Sequence, residues 1–544
     1  GVDVANLNRL ALSYREKFQR ELPHPKMDAL VSRLASAWKT GEKSLVFVRR
    51  VASVKELKRK LDEAYDTWLI ARLKLSLASL PARETKRFNS VVERYRRDRF
   101  KSMLRADETE LTRHASETDA GGSDTFFAWC FRGEGPRRII SGANLQKRFT
   151  QRGTTLATFF EDNYVAMAVG CLPGNVTETL AAVLGLDIAA LRQELRRRSV
   201  RFLGRVRKHA RGDRFEAVQA SAIEWLKETA GPHREIAAVI WHERFEGTNR
   251  PDHADEAPEI GEWLEERTFF TELRKRPALR ARVWPEATGL SVRDRYREQE
   301  IRARLLSTAA RLGHGFIDFY VLAIGRLGSL RLRKQESSED DQAQNEWQRI
   351  DEYLLLLEAQ MAQPVAERGW AAFDELAEIS SHFELILDVN AHEVRQRSLG
   401  EATRKFGQLL GRQQPTGGMA GQVNQTLVSQ FRMPGYPFVL VTTDLLQEGE
   451  DLHTFCSAVH HYGISWTPSS MEQRTGRIDR VRSQSNRRLG NLARDAQPDE
   501  LLQVYFPHLE DTVEVLQVQR VLERMNTFLR LMHEGLTVAD DSER

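Results

Sequence analysis

Cysteine is scarce: there are three in 544 residues, at Cys130, Cys171 and Cys456. Their separation excludes a disulfide framework and matches no zinc spacing, which suits a reducing compartment, the cytoplasm. Cys456 has His453, His460 and His461 nearby, but that spacing fits no metal site, and packing accounts for it. Net charge is almost missing too, since 81 basic against 77 acidic residues leaves +4. Any surface for nucleic acid must therefore be local. No apolar run approaches the length of a membrane span, and the closest, 316–324, is broken by Asp318. The opening residues lack the basic-then-apolar pattern of an export signal, so the reading is a soluble, intracellular chain with no membrane partner. No fixed-period repeat is present, which gives a solenoid no support. Finally, no G-x-x-x-x-G-K-[ST] loop occurs, and Asp255-Glu256, Asp351-Glu352 and Asp374-Glu375 follow no buried-strand pattern. Neither a phosphate-cradling loop nor an acidic pair to hold magnesium is evident.

What is present is concentrated between Phe438 and Arg480. Phe438 to Val441 is an apolar run that passes directly into Thr442-Thr443-Asp444, as a buried parallel strand does when it delivers polar residues to its carboxyl edge, where ligands meet open α/β sheets. A second apolar segment, 458–465, ends before Pro468 and Ser469-Ser470. Ser470, three residues ahead of Gln473, predicts a helix that carries Gln473, Arg474, Arg477 and Arg480. Arg477 and Arg480 are three apart, so one helical face would present both. Paired guanidinium forks suit phosphate oxygens; a solvated basic face is the plainer alternative.

These residues resemble a known family. Thr443-Asp444-x-x-x-Glu448-Gly449-x-Asp451-Leu452 is similar to motif V, and Gln473-Arg474-x-Gly476-Arg477-x-x-Arg480 to motif VI, of superfamily 2 helicases and translocases. Such motors close two RecA-like lobes around ATP, and both motifs belong to the second lobe. The resemblance implies that Arg477 and Arg480 are arginine fingers, that Gly449, Asp451 and Gln473 meet the nucleotide, and that Thr443 touches the nucleic-acid backbone. Trp466-x-Pro468 and Asp479-Arg480 look closest to the Swi/Snf-type branch, although motif V departs from that branch's usual wording.

Earlier in the chain, Leu30, Leu34 and Trp38 recur at helical spacing, Ser44 to Val48 reads as a short buried strand, and a helix follows from Val54. That order resembles the start of the same lobe through motif IV, and places Arg49 at a strand end as a further nucleic-acid contact. Roughly 320 residues then separate this start from motif V, more than a typical domain. The expected organisation is an α/β RecA-like parallel-sheet lobe, discontinuous and interrupted by a large, mainly α-helical insertion. Residues 1–64 form the lobe's first part, 65–382 the insertion, 383–510 the second part and 511–544 a C-terminal helix and tail. Within the second part, 383–389 is a candidate strand, Gly417 to Gly421 a flexible turn, and 501–506 the last strand.

Two basic segments mark the insertion. One joins Arg94, Arg96, Arg97, Arg99, Lys101 and Arg105 with Tyr95 and Phe100; the other runs from Arg196 to Lys208 around Phe202. Either they track phosphates and stack bases, with Arg197 and Arg201 as contacts, or they are solvated faces whose aromatics belong to the core. His314 and Asp318 could form an acid-base pair, but a helix start burying its aromatics explains that segment as well.

The functional expectation is the C-terminal part of an ATP-dependent DNA helicase or translocase, with duplex DNA favoured by the Swi/Snf-like resemblance. ATP and magnesium would be held mainly by a first RecA-like lobe elsewhere on a longer chain or on another subunit, and this chain alone would not hydrolyse ATP. Large helical insertions are similar to those of helicases in bacterial anti-phage defence. The alternative is a non-enzymatic lobe that scaffolds partners.

Overall fold

The computed structural model describes residues 23–76, 82–110, 125–133, 154–160, 267–283, 305–313, 339–364, 369–390 except 371, 406–411, 413–443, 451–463 and 467–541 except 493, with isolated positions elsewhere. The strands are β1 (Lys43–Phe47), β2 (Thr416–Met419), β3 (Val439–Thr442), β4 (Cys456–His461) and β5 (Gln503–Tyr505). They form one sheet in the order β2-β3-β1-β4-β5, every pair parallel. β1 is central, and its residues bury on both faces, Lys43 and Ser44 included, so that Leu45 to Val48 read as a continuous apolar run rather than an alternating one.

Alternation still decides which face each residue serves. Val46, Val48, Val439 and Val441 face one core, shared with α1 (Pro25–Leu34) and α3 (Val51–Ser76). Leu45, Phe47 and Leu440 face a second, smaller core with Leu427, Phe431, Leu452 and Ile478. Leu427 and Phe431 come from α12 (Gln425–Phe431), and Ile478 from the turn that follows α13 (Pro468–Thr475).

Between β1 and β2 the described elements are all helices. After the short α2 (Ala37–Thr40) and α3 come α4 (Ala82–Glu110), α5 (Phe126–Phe131), α6 (Thr155–Phe159), α7 (Phe269–Arg274), α8 (Pro277–Val283), α9 (Glu339–Met361) and α10 (Ala372–Ser381). Phe126, Phe160, Ile350 and Phe373 from this part of the chain join the same core as Val46 and Val439. These helices thus pack on the sheet face opposite to α12 and α13. α3 runs unbroken through residue 65, where the sequence reading places the start of an insertion.

Three local expectations are corrected. Residues 383–389 are not a strand but part of α11 (Phe383–Asn390), because Phe383 and Ile386 bury on one side at helical spacing. Gly417 and Gly418 are not in a turn but inside buried β2. A Cβ on Gly417 would lie 2.8 Å from Leu427 Cδ1, so glycine lets α12 approach the strand. α13 starts at Pro468 after Thr467, not at Ser470, with proline at a position where its missing N–H costs nothing. A further helix, α14 (Gln484–Gly490), follows α13. The last strand falls at β5 as expected, and α15 (Val513–Asp541) comes after it. Among the described residues no helix is long and apolar enough to cross a membrane.

Candidate functional site

The two sets of expected contacts lie at opposite ends of the sheet. At the carboxyl end, Arg49 and Arg50 leave β1 exposed, and Thr443 leaves neighbouring β3 half-buried. The Val48 N–H donates to Thr442 O at 2.9 Å and the Gly463 N–H to Phe47 O at 3.1 Å, which holds the three strand ends together. Gly463 is demanded by this closeness: a Cβ there would sit 2.7 Å from the Arg49 backbone nitrogen. β1 and β4 are also where the chain's crossovers diverge, towards β2 on one side and β5 on the other.

At the amino end, residues 451–454 run into β4. Leu452 is fully buried in the smaller core, and its N–H donates to Arg477 O at 3.1 Å. The Gln484 N–H donates to His453 O at 3.0 Å. Arg432, just beyond α12, donates from Nε to Asp451 O at 2.6 Å, and Arg487 on α14 donates from Nη2 to Thr454 O at 2.5 Å. The Asp451 carboxylate pairs with Arg480, and both side chains are about half exposed, at 43% and 41%. Arg480 also donates from Nε to Gly476 O at 3.2 Å, which folds its stem back over the helix end.

Arg477 and Arg480 do not share a helical face, because α13 ends at Thr475. The Arg477 N–H bonds Arg474 O at 3.3 Å and the Ile478 N–H bonds Thr475 O at 3.0 Å, a tightened turn that drives Ile478 into the core. Arg477 is consequently buried to 8% exposure, whereas Arg480 reaches Asp451 at the surface. The site is not confined to the carboxyl edge as expected: Thr475, at the end of α13, lies beside His461 at that edge, its Oγ1 3.3 Å from Nε2, while the turn after it meets Leu452 ahead of β4. Gln473 is exposed on α13. Arg474 is a core residue, 1% exposed, with Nη1 donating to Gly463 O at 2.8 Å and its guanidinium 5.3 Å from the Phe47 ring centre.

The electrostatics at this end are basic. Burial lowers the pKa of His453, Asp451 opposes it, and Arg480, Arg487 and Arg432 lower it further. His453 therefore stays neutral among guanidinium groups at neutral pH. Arg432 and Arg487 escaped the sequence reading, and His453 was read there only as packing beside Cys456, because only the fold brings 432, 453 and 487 together; Arg487, seven residues after Arg480, is the one within reach of local spacing.

Other expected contacts fare differently. Gly449, Arg197 and Arg201 lie outside the described residues, as do the rest of the Arg196–Lys208 segment and residues 314–319. In the first basic segment Tyr95 is buried, its hydroxyl bonded to Asp66, and Arg99 Nη1 bonds Asp66 at 3.3 Å, so this aromatic belongs to the core. Arg94, Arg96 and Arg97 lie on the same helix and are all exposed.

No curated protein and no solved structure matches the chain. Residues 413–482, from just ahead of β2 through the turn that carries Arg477 and Arg480, match the model of the helicase conserved C-terminal domain, so this part of the chain is similar to a helicase-type C-terminal segment.

Proposed function

We propose that the chain is the second RecA-like lobe of an ATP-dependent DNA translocase or helicase, whose ATP site is completed by a first lobe on the same longer chain or on another subunit. The observation that carries this reading is the convergence of the Arg432, Arg480 and Arg487 side chains on residues 451–454, with the Arg477 carbonyl accepting from Leu452 beside them, at one end of a parallel sheet and largely within the helicase-type segment. Guanidinium groups so gathered repel one another and are stabilised by an arriving polyanion. Arg480, half exposed and paired with a surface carboxylate, can exchange Asp451 for a phosphoryl oxygen, and Asp451 would then be released to accept a ribose hydroxyl.

A nucleoside triphosphate fits this chemistry, and on this reading the metal and the phosphate cradle fall to the other lobe. At the carboxyl rim Arg49, Arg50 and Thr443 present two charges and a hydroxyl to the phosphates of a DNA backbone. A place in bacterial anti-phage defence rests on the length of the insertion alone.

The test is DNA-stimulated ATP hydrolysis by the chain joined to its first lobe. Arg477→Ala with Arg480→Ala should abolish stimulation, with a loss of about 10³-fold or more. Undiminished turnover would remove the finger assignment and leave the scaffold reading in its place.

A further inference from the structure

Arg487 stands outside the helicase-type segment that ends at 482, yet it links the two strands of chain that form the arginine rim. Its Nη2 donates to Thr454 O at 2.5 Å, and its Nη1 to Arg482 O at 2.8 Å. Thr454 belongs to the run-in that carries Asp451; Arg482 ends the turn that carries Arg480. One planar fork therefore ties the backbone of the carboxylate's segment to the backbone of its guanidinium partner.

The turn needs such a tie. Arg482 has φ of 64°, a left-handed conformation that a residue with a Cβ adopts at some cost. Val481 beside it is 85% exposed and contributes no packing. What fixes the turn is polar: the Arg482 N–H donates to Asn486 Oδ1 at 3.2 Å, the Ser483 N–H to Arg480 O at 3.0 Å, and Arg487 closes the same loop through the Arg482 carbonyl. Ser483 caps α14 by accepting from the Asn486 N–H, so α14 is a rigid mount from which Arg487 reaches back. The Arg487 guanidinium also lies 5.4 Å from the centre of the Phe455 ring, which fixes its plane. On the far side, Arg432 fastens the Asp451 carbonyl, so the run-in is held at both ends.

We infer that Arg487 is a positioning residue for Arg480, acting through the Thr454 and Arg482 carbonyls to hold the finger where a phosphoryl group would meet it. The inference rests on the ATP-site reading proposed above. Arg487 contacts neither nucleotide nor reacting atoms; both of its arms are engaged with backbone.

A lysine at 487 keeps the charge but offers no fork to span two carbonyls. With the chain joined to its first lobe, Arg487→Lys should lower DNA-stimulated kcat about tenfold while the KM for ATP stays within about twofold, the pattern of an interaction made in the transition state. The deciding comparison is a double-mutant cycle with Arg480→Ala. If Arg487 acts through Arg480, adding Arg487→Lys to Arg480→Ala lowers kcat by no more than about twofold further. Effects that multiply, or an Arg487→Lys variant with unchanged kcat, would overturn the positioning role while leaving the finger reading intact. An Arg480→Ala enzyme with full activity would instead overturn the finger reading, and this inference with it.

Discussion

Lys43 of β1 and Glu375 of α10 are buried in each other's field, 1% and 2% exposed, across the junction between sheet and insertion. The ammonium also donates to Phe431 O at 3.2 Å, at the end of α12. Burial pulls Lys43 down to about 7 and pushes Glu375 up to about 7, each countered by the other's charge. Removing one of them leaves the other charge buried without its compensation. Lys43→Met or Glu375→Leu alone should destabilise the chain, and the two together should cost distinctly less than the sum. Urea unfolding of the single and double variants measures this; additive losses would show that the two charges do not act on one another.

The same pair sets a pH dependence. Glu375 titrates higher in the fold than its ordinary 4.5, so its contribution is full below that value and is lost as pH rises through about 7. Lys43 titrates lower than its ordinary 10.5, so its contribution is full above that value and is lost as pH falls through about 7. Relative to the double variant that combines Lys43→Met with Glu375→Leu, the native chain should therefore be least stable near neutrality and recover on both sides. Unfolding midpoints at acidic, neutral and alkaline pH test it, and a stability difference independent of pH would contradict it.

At the carboxyl rim the tight approach of Gly463 to Arg49 is open to a single substitution. Gly463→Ala places a methyl group against backbone that cannot swing aside, and should destabilise the chain by about 1–3 kcal/mol. Arg49→Ala with Arg50→Ala should leave stability within about 0.5 kcal/mol, as surface changes do. The same pair of changes should reduce the slope of log affinity for duplex DNA against log salt by about 2, one for each lost phosphate contact. An unchanged slope would exclude these arginines from the DNA track.

How much of this was legible beforehand follows from how local each signal is. β1, β3, β4 and the existence of α13 were readable because buried parallel strands and helix breakers write themselves into a few consecutive residues. The division of labour between Arg474, Arg477 and Arg480 was not. Periodicity treats the three as one helical set, whereas the core pulls Ile478 inward, ends α13 at Thr475, buries Arg477, and sends Arg474 under Phe47 and Arg480 out to Asp451. The contributions of Arg432 and Arg487 were invisible for another reason: their partners are backbone carbonyls, which carry no residue identity. Gly417 misled because glycine next to glycine signals a turn unless a helix packs close above it.

His453 offers a probe of the rim that needs no catalysis. Because Arg480, Arg487 and Arg432 help to hold its pKa below the ordinary value, Arg480→Ala should raise it, and so should an anion bound among those arginines. Proton NMR titration of the imidazole, with and without inorganic pyrophosphate, would register both shifts. A pKa indifferent to Arg480→Ala would mean that the guanidinium does not face the ring.

The most direct measurement of the account is the binding of ADP with aluminium fluoride, which mimics a phosphoryl group in transfer, by the chain joined to its first lobe. Arginine fingers act on the transferring group, so Arg480→Ala should leave ADP affinity within about threefold and weaken the aluminium fluoride complex by about 10²-fold or more. If the variant traps ADP and aluminium fluoride as tightly as the native protein does, Arg480 does not face the γ-phosphoryl position and the rim is not the second wall of an ATP site.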